Sequence, residues 1–447
     1  MGKLFGTDGI RGVANQELTP ELAFKIGRIG AYVLSRASGV APKFLVARDT
    51  RISGAMLEGA LIAGLTSTGV DVYTAGIIST PAIAYLTREL AGCGGVMISA
   101  SHNAYPDNGI KFFNNQGFKL SDDVEAEMER LYFSEEDEIP RATAGQIGRV
   151  QPFSDGVSRY LDFLLATVPI RFDGFKVALD CANGAAYQLA PQAFRSLGAE
   201  VITMNDQPDG ININDNCGST HPAEVARIVV ETGAHLGFTF DGDADRVLAV
   251  DEHGQLVDGD AVMAICATFL KEEGRLKNNT LVATVMSNIG LEKAAAKQGF
   301  QLIRTKVGDR YVLETMLAEG YNLGGEQSGH IIMLDYNTTG DGLLTALQIM
   351  QTMVKKNQSL SKLASLMTRY PQVLINCTVR SRDGWDTNTR IQQATADVEK
   401  ALAGQGRVLV RPSGTEPLIR VMLEGPNEEE LHTMANELAD VIREELK

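Results

Sequence analysis

The stretch "KFLVARDT" (43–50) is an apolar run that ends in arginine, aspartate and threonine. A run of that kind reads as a buried strand feeding a polar turn. The pattern returns twice, as "FKVALDCANG" (175–184) and "TLVATVMSNIG" (280–290). Each copy is followed by an Ala- or Leu-rich helical stretch. A Gly-led strand comes next: "GVDVYTAG" (69–76), "GAEVITMN" (198–205) and "GFQLIRTK" (299–306). Each copy then reaches a third element with an unusual polar end: "ISASHN" (98–103), "FTFDGDADR" (238–246) and "LGGEQSGH" (323–330). Strands alternating with helices indicate α/β layers. Such sheets bind ligands beyond the carboxyl ends of their strands. The expectation is three similar α/β modules with mixed sheets, over residues 1–150, 151–253 and 254–368, whose special loops meet at a central cleft. From "YPQVLINCTV" (370–379) the order changes to strand, helix, strand, strand, helix. That predicts a fourth, smaller α+β domain over 369–447. The acidic stretch "SEEDEIPRATAG" (134–145) reads as a solvated linker.

Bulk properties narrow the function. The 447 residues are 44% hydrophobic, which supplies a sizeable core. With 41 basic and 56 acidic residues the formal charge is −15. This disfavours nucleic acid and anionic membrane as partners. An anionic substrate would therefore need basic groups concentrated locally. The five cysteines show no CxxC pairing and read as reduced thiols. No apolar run suits a membrane span, and the start "MGKLFGTDGIRG" has no apolar signal region. A cytoplasmic protein is expected.

Six loops carry candidate chemistry. "DGDADR" packs Asp241, Asp243 and Asp245 into five residues. Three carboxylates that close repel unless a cation lies among them, and oxygen-only ligands suit a hard ion such as Mg²⁺. A calcium loop fits less well, because Arg246 stands where its sharp turn needs glycine. A solvated acidic turn is the bland reading. "RPSGTEP" (411–417), between two strand candidates, offers Arg411, Ser413, Gly414 and Thr415, with Arg420 nine residues beyond Arg411. Hydroxyls, a guanidinium and exposed N–H groups suit a phosphate dianion; an ordinary turn is the alternative. "GGEQSGH" (324–330) and "KVGDR" (306–310) offer Glu326 and Ser328 for sugar hydroxyls, and His330 heads "IIMLD". His330 is equally a reacting group or a satisfied strand residue. "GTDGIRG" (6–12) carries Arg11 in either a functional loop or a mobile N-terminal turn. In "SASHN", Ser101 at the polar exit is the reactive hydroxyl and Ser99 the structural one; a capped helix start is the competing reading of Ser101. Lys111, ten residues on in "DNGIKFF", returns to the same place.

Together these motifs resemble the α-D-phosphohexomutase family, in that family's order and over essentially the whole chain. "GTDGIRG", "DNGIKFF" and Gln327 are similar to its amino-sugar branch. The resemblance implies four domains around a cleft and a phosphoserine at Ser101. It implies one Mg²⁺ per subunit, held by Asp241, Asp243, Asp245 and a phosphoserine oxygen. Arg246, Arg11, His102 and Lys111 would surround that phosphate. Lys111 and His330 are the candidate general bases, in that order. Lys306, Asp309, Arg310, Glu326 and Ser328 would hold the sugar. Arg411, Ser413, Gly414, Thr415 and Arg420 would hold the distal phosphate. The implied reaction interconverts glucosamine 6-phosphate and glucosamine 1-phosphate. Glucosamine 1,6-bisphosphate is its intermediate, and that compound or glucose 1,6-bisphosphate its activator. Ser101 would need a phosphate donor, and a homodimer is left open. Broader phosphomannomutase/phosphoglucomutase specificity, a Mg²⁺-dependent sugar phosphatase and a sugar-phosphate sensor are the rivals. One departure stands out: the family usually has Pro after "SHN", where this chain has Ala104.

Overall fold

The structure is a computed structural model and describes residues 4–6, 8–413 and 418–447. It divides into two compact units, one formed by Met1–Val285 with Ile303–Ser365 and the other by Met286–Leu302 with Leu366–Lys447.

Three sheets repeat one plan. In the first, strands Asp107–Asn114, Gly94–Ile98, Lys43–Arg48 and Asp71–Ile77 lie side by side in that order. In the second the order is Val247–Asp251, Leu236–Phe240, Lys176–Asp180 and Glu200–Met204. In the third it is Ile331–Met333, Leu323–Gly325, Thr280–Thr284 and Gln301–Thr305. Each sheet thus reads fourth, third, first, second in chain order, and the fourth strand is antiparallel to the third. The three motif loops occupy one topological position, the connection from third to fourth strand. The sequence repeat is real, and its missing member is the short antiparallel return: "IKFF", "VLAV" and "IIM".

One sequence reading changes and another is extended. Half of "GTDGIRG" is not a turn, because Ile10–Val13 pairs antiparallel with Asp107–Asn114 as an edge strand. The acidic stretch 134–145 is mostly exposed, as expected, but it is also anchored. The largely buried Arg28 donates to Asp137 Oδ2 at 2.9 Å and to the Ile139 carbonyl at 2.8 Å. Val150–Pro152 then adds a sixth strand to the first sheet. A lone arginine on a helix reads as a surface charge in sequence, so this anchor was invisible.

Local sequence accounts for the helices around the sheets. Pro20–Ser38 starts with Thr19 accepting from the Leu22 N–H and stops at Gly39 in the left-handed region. In the second unit an antiparallel sheet orders Gln372–Thr378, Leu418–Glu424 and Arg407–Pro412. Helix Glu428–Glu445 packs on it, started by Asn427 accepting from the Glu429 and Glu430 N–H groups with three acids in its first turn. Val421, Leu423, Leu438 and Ile442 lie in that unit's core. Among the described residues no helix is long and apolar enough to cross a membrane.

Candidate active site

Strand Gly94–Ile98 delivers Ser99, then Ser101, to the end of the first sheet. Ser99 Oγ donates to Asp49 Oδ2 at 2.6 Å and accepts from the Ser101 N–H at 3.0 Å. It is structural, as expected. Ser101 is 1% exposed and takes a left-handed φ of 53°. That conformation costs a non-glycine residue about 1–2 kcal/mol, so the surroundings must enforce it. Its hydroxyl donates to Asp241 Oδ2 at 2.6 Å, across 140 residues of sequence. His102 Nδ1 is 3.3 Å from the same hydroxyl and 3.1 Å from Arg246 NH1. Burial and the guanidiniums of Arg246 and Arg11 push the His102 imidazole down to about 4, so it is neutral near pH 7.

The aspartates sit between strands Leu236–Phe240 and Val247–Asp251. Ligand atoms of Asp241, Asp243 and Asp245 all lie within 4.8 Å of one another, and all three residues are buried. Burial and the two neighbouring carboxylates hold Asp241 well above the usual carboxylate range. Asp243 Oδ1 and Asp245 Oδ1 are buried with no hydrogen-bond partner among the described residues. Orphaned oxygens of this kind need a partner, and a hard divalent cation fits the donor set. Glu252, which a calcium loop would use, is elsewhere: its carboxylate accepts from the Ser361 hydroxyl at 2.6 Å.

Cations surround the triplet. Lys111 is 2% exposed and bonds Asp243 Oδ2 and Asp8 Oδ2, both at 2.8 Å. Burial opposes its charge, but these acids outweigh burial and hold the ammonium well above its ordinary range. Asp8 also pairs with Arg11 at 2.5 Å. Lys119 bridges Asp8 to Asp309, the latter at 2.6 Å. His330 closes the circuit, with Nδ1 3.4 Å from Asp245 and Nε2 3.3 Å from Asp309. The Gly340 N–H donates to Nε2 at 3.1 Å, which favours a neutral ring. Burial favours it too, yet two carboxylates outweigh both and raise the imidazole. An added Cβ at Gly340 would lie 2.5 Å from that ring, so glycine is required there.

The third-module loops meet each other. Glu326 Oε1 accepts from the Gly308 N–H at 3.2 Å, and the Ser328 hydroxyl donates to Glu326 Oε2 at 3.5 Å. The Val247 N–H donates to the Gly329 carbonyl at 3.1 Å, tying this loop to the aspartate module. Lys306 is exposed, its ammonium 5.8 Å from the Tyr311 ring centroid. The Arg310 guanidinium is engaged by Asp122, Glu125 and Glu314.

In the second unit, Arg411 and Arg420 are direct cross-strand partners on Arg407–Pro412 and Leu418–Glu424. Burial and Arg420 together lower the Arg411 guanidinium. Like charges paired across strands are unfavourable without an anion. Ser413 is buried, and Arg382 NH1 donates to its carbonyl. Gly414 and Thr415 lie outside the described residues.

The first unit therefore brings together Ser101, His102, Lys111, the three aspartates, Arg246 and His330, with Arg11 joined through Asp8. Sequence reasoning missed Asp8, Lys119 and Thr80, whose hydroxyl donates to Asp243 Oδ2 at 2.5 Å. Asp8 was visible inside "GTDGIRG"; Lys119 and Thr80 carried no signal. It also missed Asp49, Arg51 and Asn214 behind the serine loop.

Known proteins match this arrangement throughout. The phosphoglucomutase/phosphomannomutase alpha/beta/alpha domains I, II and III match residues 2–138, 158–254 and 258–370, and the C-terminal domain matches 374–441. The phosphoglucosamine mutase of Brevibacillus brevis is 57% identical over 447 residues, covering 100% of both chains. The chain belongs to the phosphoglucomutase/phosphomannomutase family, in its phosphoglucosamine mutase branch. Phosphohexomutases of this family are isomerases, and that is the enzyme class here. The fold is also shared with a solved Burkholderia thailandensis phosphoglucomutase/phosphomannomutase family protein, at TM-score 0.82 and 23% identity over 99% of this chain and 98% of that one. Aspergillus fumigatus N-acetylphosphoglucosamine mutase, solved with GlcNAc-6P and magnesium, matches at TM-score 0.70 and 16% identity over 100% and 96%.

Proposed function

We propose that the enzyme interconverts glucosamine 6-phosphate and glucosamine 1-phosphate in the cytoplasm, with Ser101 as the phosphoryl carrier. The hydrogen bond of 2.6 Å from Ser101 Oγ to Asp241 carries this reading, because it sets the one candidate nucleophile against the carboxylate cluster. In the first half-reaction O1 of the 6-phosphate attacks phosphorus on phosphoserine 101. The O1–P bond forms as the P–Oγ bond breaks, the O1 proton passes to a base, and Oγ regains a proton. Glucosamine 1,6-bisphosphate results. It turns end for end, its 6-phosphoryl group returns to Ser101 Oγ, and glucosamine 1-phosphate leaves.

Transfers of this type depend on in-line placement and charge neutralisation. Asp241, Asp243 and Asp245, with a phosphoserine oxygen, would hold Mg²⁺, which when bound neutralises charge on the transferring group. Arg246 and Lys111 add fixed positive charge beside Ser101. Lys111 donates to two carboxylates and is held protonated, so it suits stabilisation better than proton abstraction. His330, set between Asp245 and Asp309, takes the place of first candidate base, the reverse of the sequence order. His102 keeps a neutral Nδ1 toward Arg246. Glu326 and Ser328 are assigned to sugar hydroxyls. Arg411, Ser413, Gly414, Thr415 and Arg420 are assigned to the non-reacting phosphate. Residues 1–150, 151–253, 254–368 and 369–447 are the corresponding four functional domains.

The test is intact-mass and peptide mapping for phosphate on Ser101, then kcat/KM with glucosamine, glucose and mannose phosphates primed by glucose 1,6-bisphosphate. Phosphate on Ser101 and a clear preference for the glucosamine substrate are expected. Equal kcat/KM values would transfer the assignment to a broad phosphomannomutase/phosphoglucomutase. Stoichiometric release of inorganic phosphate would make it a phosphatase.

A further inference from the structure

The serine loop is held from behind by a group that takes no part in the reaction above. Arg51 follows the first strand of the first module, and its side chain is fully buried against an equally buried Asp49. Its Nε donates to Asp49 Oδ2 at 2.9 Å. NH1 donates to the carbonyls of Ala104 at 2.5 Å and Asp107 at 3.0 Å. NH2 donates to those of Ser101 at 3.0 Å and Asn103 at 2.8 Å. All five N–H bonds of the guanidinium are thus engaged, four of them on one loop. Asp49 closes a ring, since it also accepts from Ser99 Oγ, which accepts from the Ser101 N–H.

A second donor comes from the other side. Asn214, in the second module, sends Nδ2 to the Ser101 carbonyl at 2.9 Å and the Asn103 carbonyl at 3.0 Å. Two donors from two modules therefore share the same two carbonyls. Gly242, between Asp241 and Asp243, forms the third wall; a Cβ there would lie 2.5 Å from the Ser101 carbonyl oxygen.

We propose that Arg51 and Asn214 are positioning residues, which fix the Ser101 carbonyl so that its hydroxyl keeps facing the aspartates. The geometry supports this over a general packing role. The clamp bears on the one left-handed residue of the serine loop, and turning that peptide would swing Oγ away from Asp241. The grip also extends past Asn103, since Arg51 NH1 reaches the Ala104 carbonyl. Lysine cannot substitute: it keeps the charge for Asp49 but has three donors on one point.

This inference rests on Ser101 being the phosphoryl carrier. The experiment compares Arg51→Lys, Asn214→Gly, the double variant and Ser101→Ala. Glycine suits position 214 because Asn214 itself sits at a φ of 57°. Turnover is measured with glucosamine 6-phosphate and glucose 1,6-bisphosphate, per mole of protein able to take phosphate. A displaced reacting atom loses about 100-fold in rate for Arg51→Lys, with about 10-fold expected for Asn214→Gly. KM should stay within about threefold for both. The double variant should be no worse than Arg51→Lys by more than about threefold, because both donors hold the same carbonyls. Unchanged kcat per phosphorylated site in a folded Asn214→Gly or Arg51→Lys protein overturns the proposal. A fall in total activity matched by fewer phosphorylated sites also overturns it, since that is packing alone. Turnover by Ser101→Ala would instead remove the underlying reaction.

Discussion

The serine loop and the Arg411–Arg420 strand pair are both assigned to phosphate in the proposed reaction, yet they are electrostatic opposites. Around Ser101 the ionic groups alternate in sign: Arg11, Asp8, Lys111 and Asp243 form one chain, and Lys119 links Asp8 to Asp309. The strand pair sets two guanidiniums opposite each other. The first region pairs most of its charges internally and leaves Asp243 Oδ1 and Asp245 Oδ1 for a cation. The second sets like charges side by side, and burial and Arg420 help to lower the Arg411 guanidinium. A covalently carried phosphoryl group and a visiting one call for these different solutions.

Ser101→Ala tests the carried side most severely. Turnover should fall by about 10⁴-fold or more while sugar-phosphate affinity and folding persist; steady-state kinetics and ligand-binding calorimetry check it. Retained turnover would erase the distinction. Asp243→Asn should cost on the order of 100-fold and shift the Mg²⁺ titration, because it removes a candidate ligand and an acid holding Lys111. An unshifted titration would count against the cluster. On the visiting side, Arg411→Gln should raise KM about 10-fold with little change in kcat. The same variant should melt at a slightly higher temperature without anion, because the facing charge is relieved. A lower melting point would deny that the pair is strained.

The smallest effect concerns Glu125, beside Arg310. Burial pushes its carboxyl from 4.5 up to about 7, with Asp122 adding to the rise and Arg310 opposing it. The folded state then binds the proton more tightly than the unfolded chain. The associated stability is present below 4.5 and is lost as pH rises toward 7. Glu125→Gln should therefore gain in melting temperature relative to the parent between pH 5 and 7. A constant difference would contradict the shift.

Much of the fold was legible because each module advertises itself at a strand end, where an apolar run breaks into chemistry. The antiparallel returns were harder, two of them being only five and three residues long. The site was legible wherever like charges crowd, as in "DGDADR", since repulsion demands an explanation. It was illegible wherever charges cancel across distance. Asp8 and Lys119 are 111 residues apart, and each alone reads as a surface group. Arg51 sits in "RDTR", an unremarkable polar turn until its five donors are traced.

The 1% exposure of Ser101 has a further consequence. A phosphoryl group stored there would be shielded from hydrolysis by bulk solvent. The charged enzyme would then persist through idle periods, and a single priming event would serve a long series of catalytic cycles. Kinetic memory of this sort would make the activator a starter rather than a fuel.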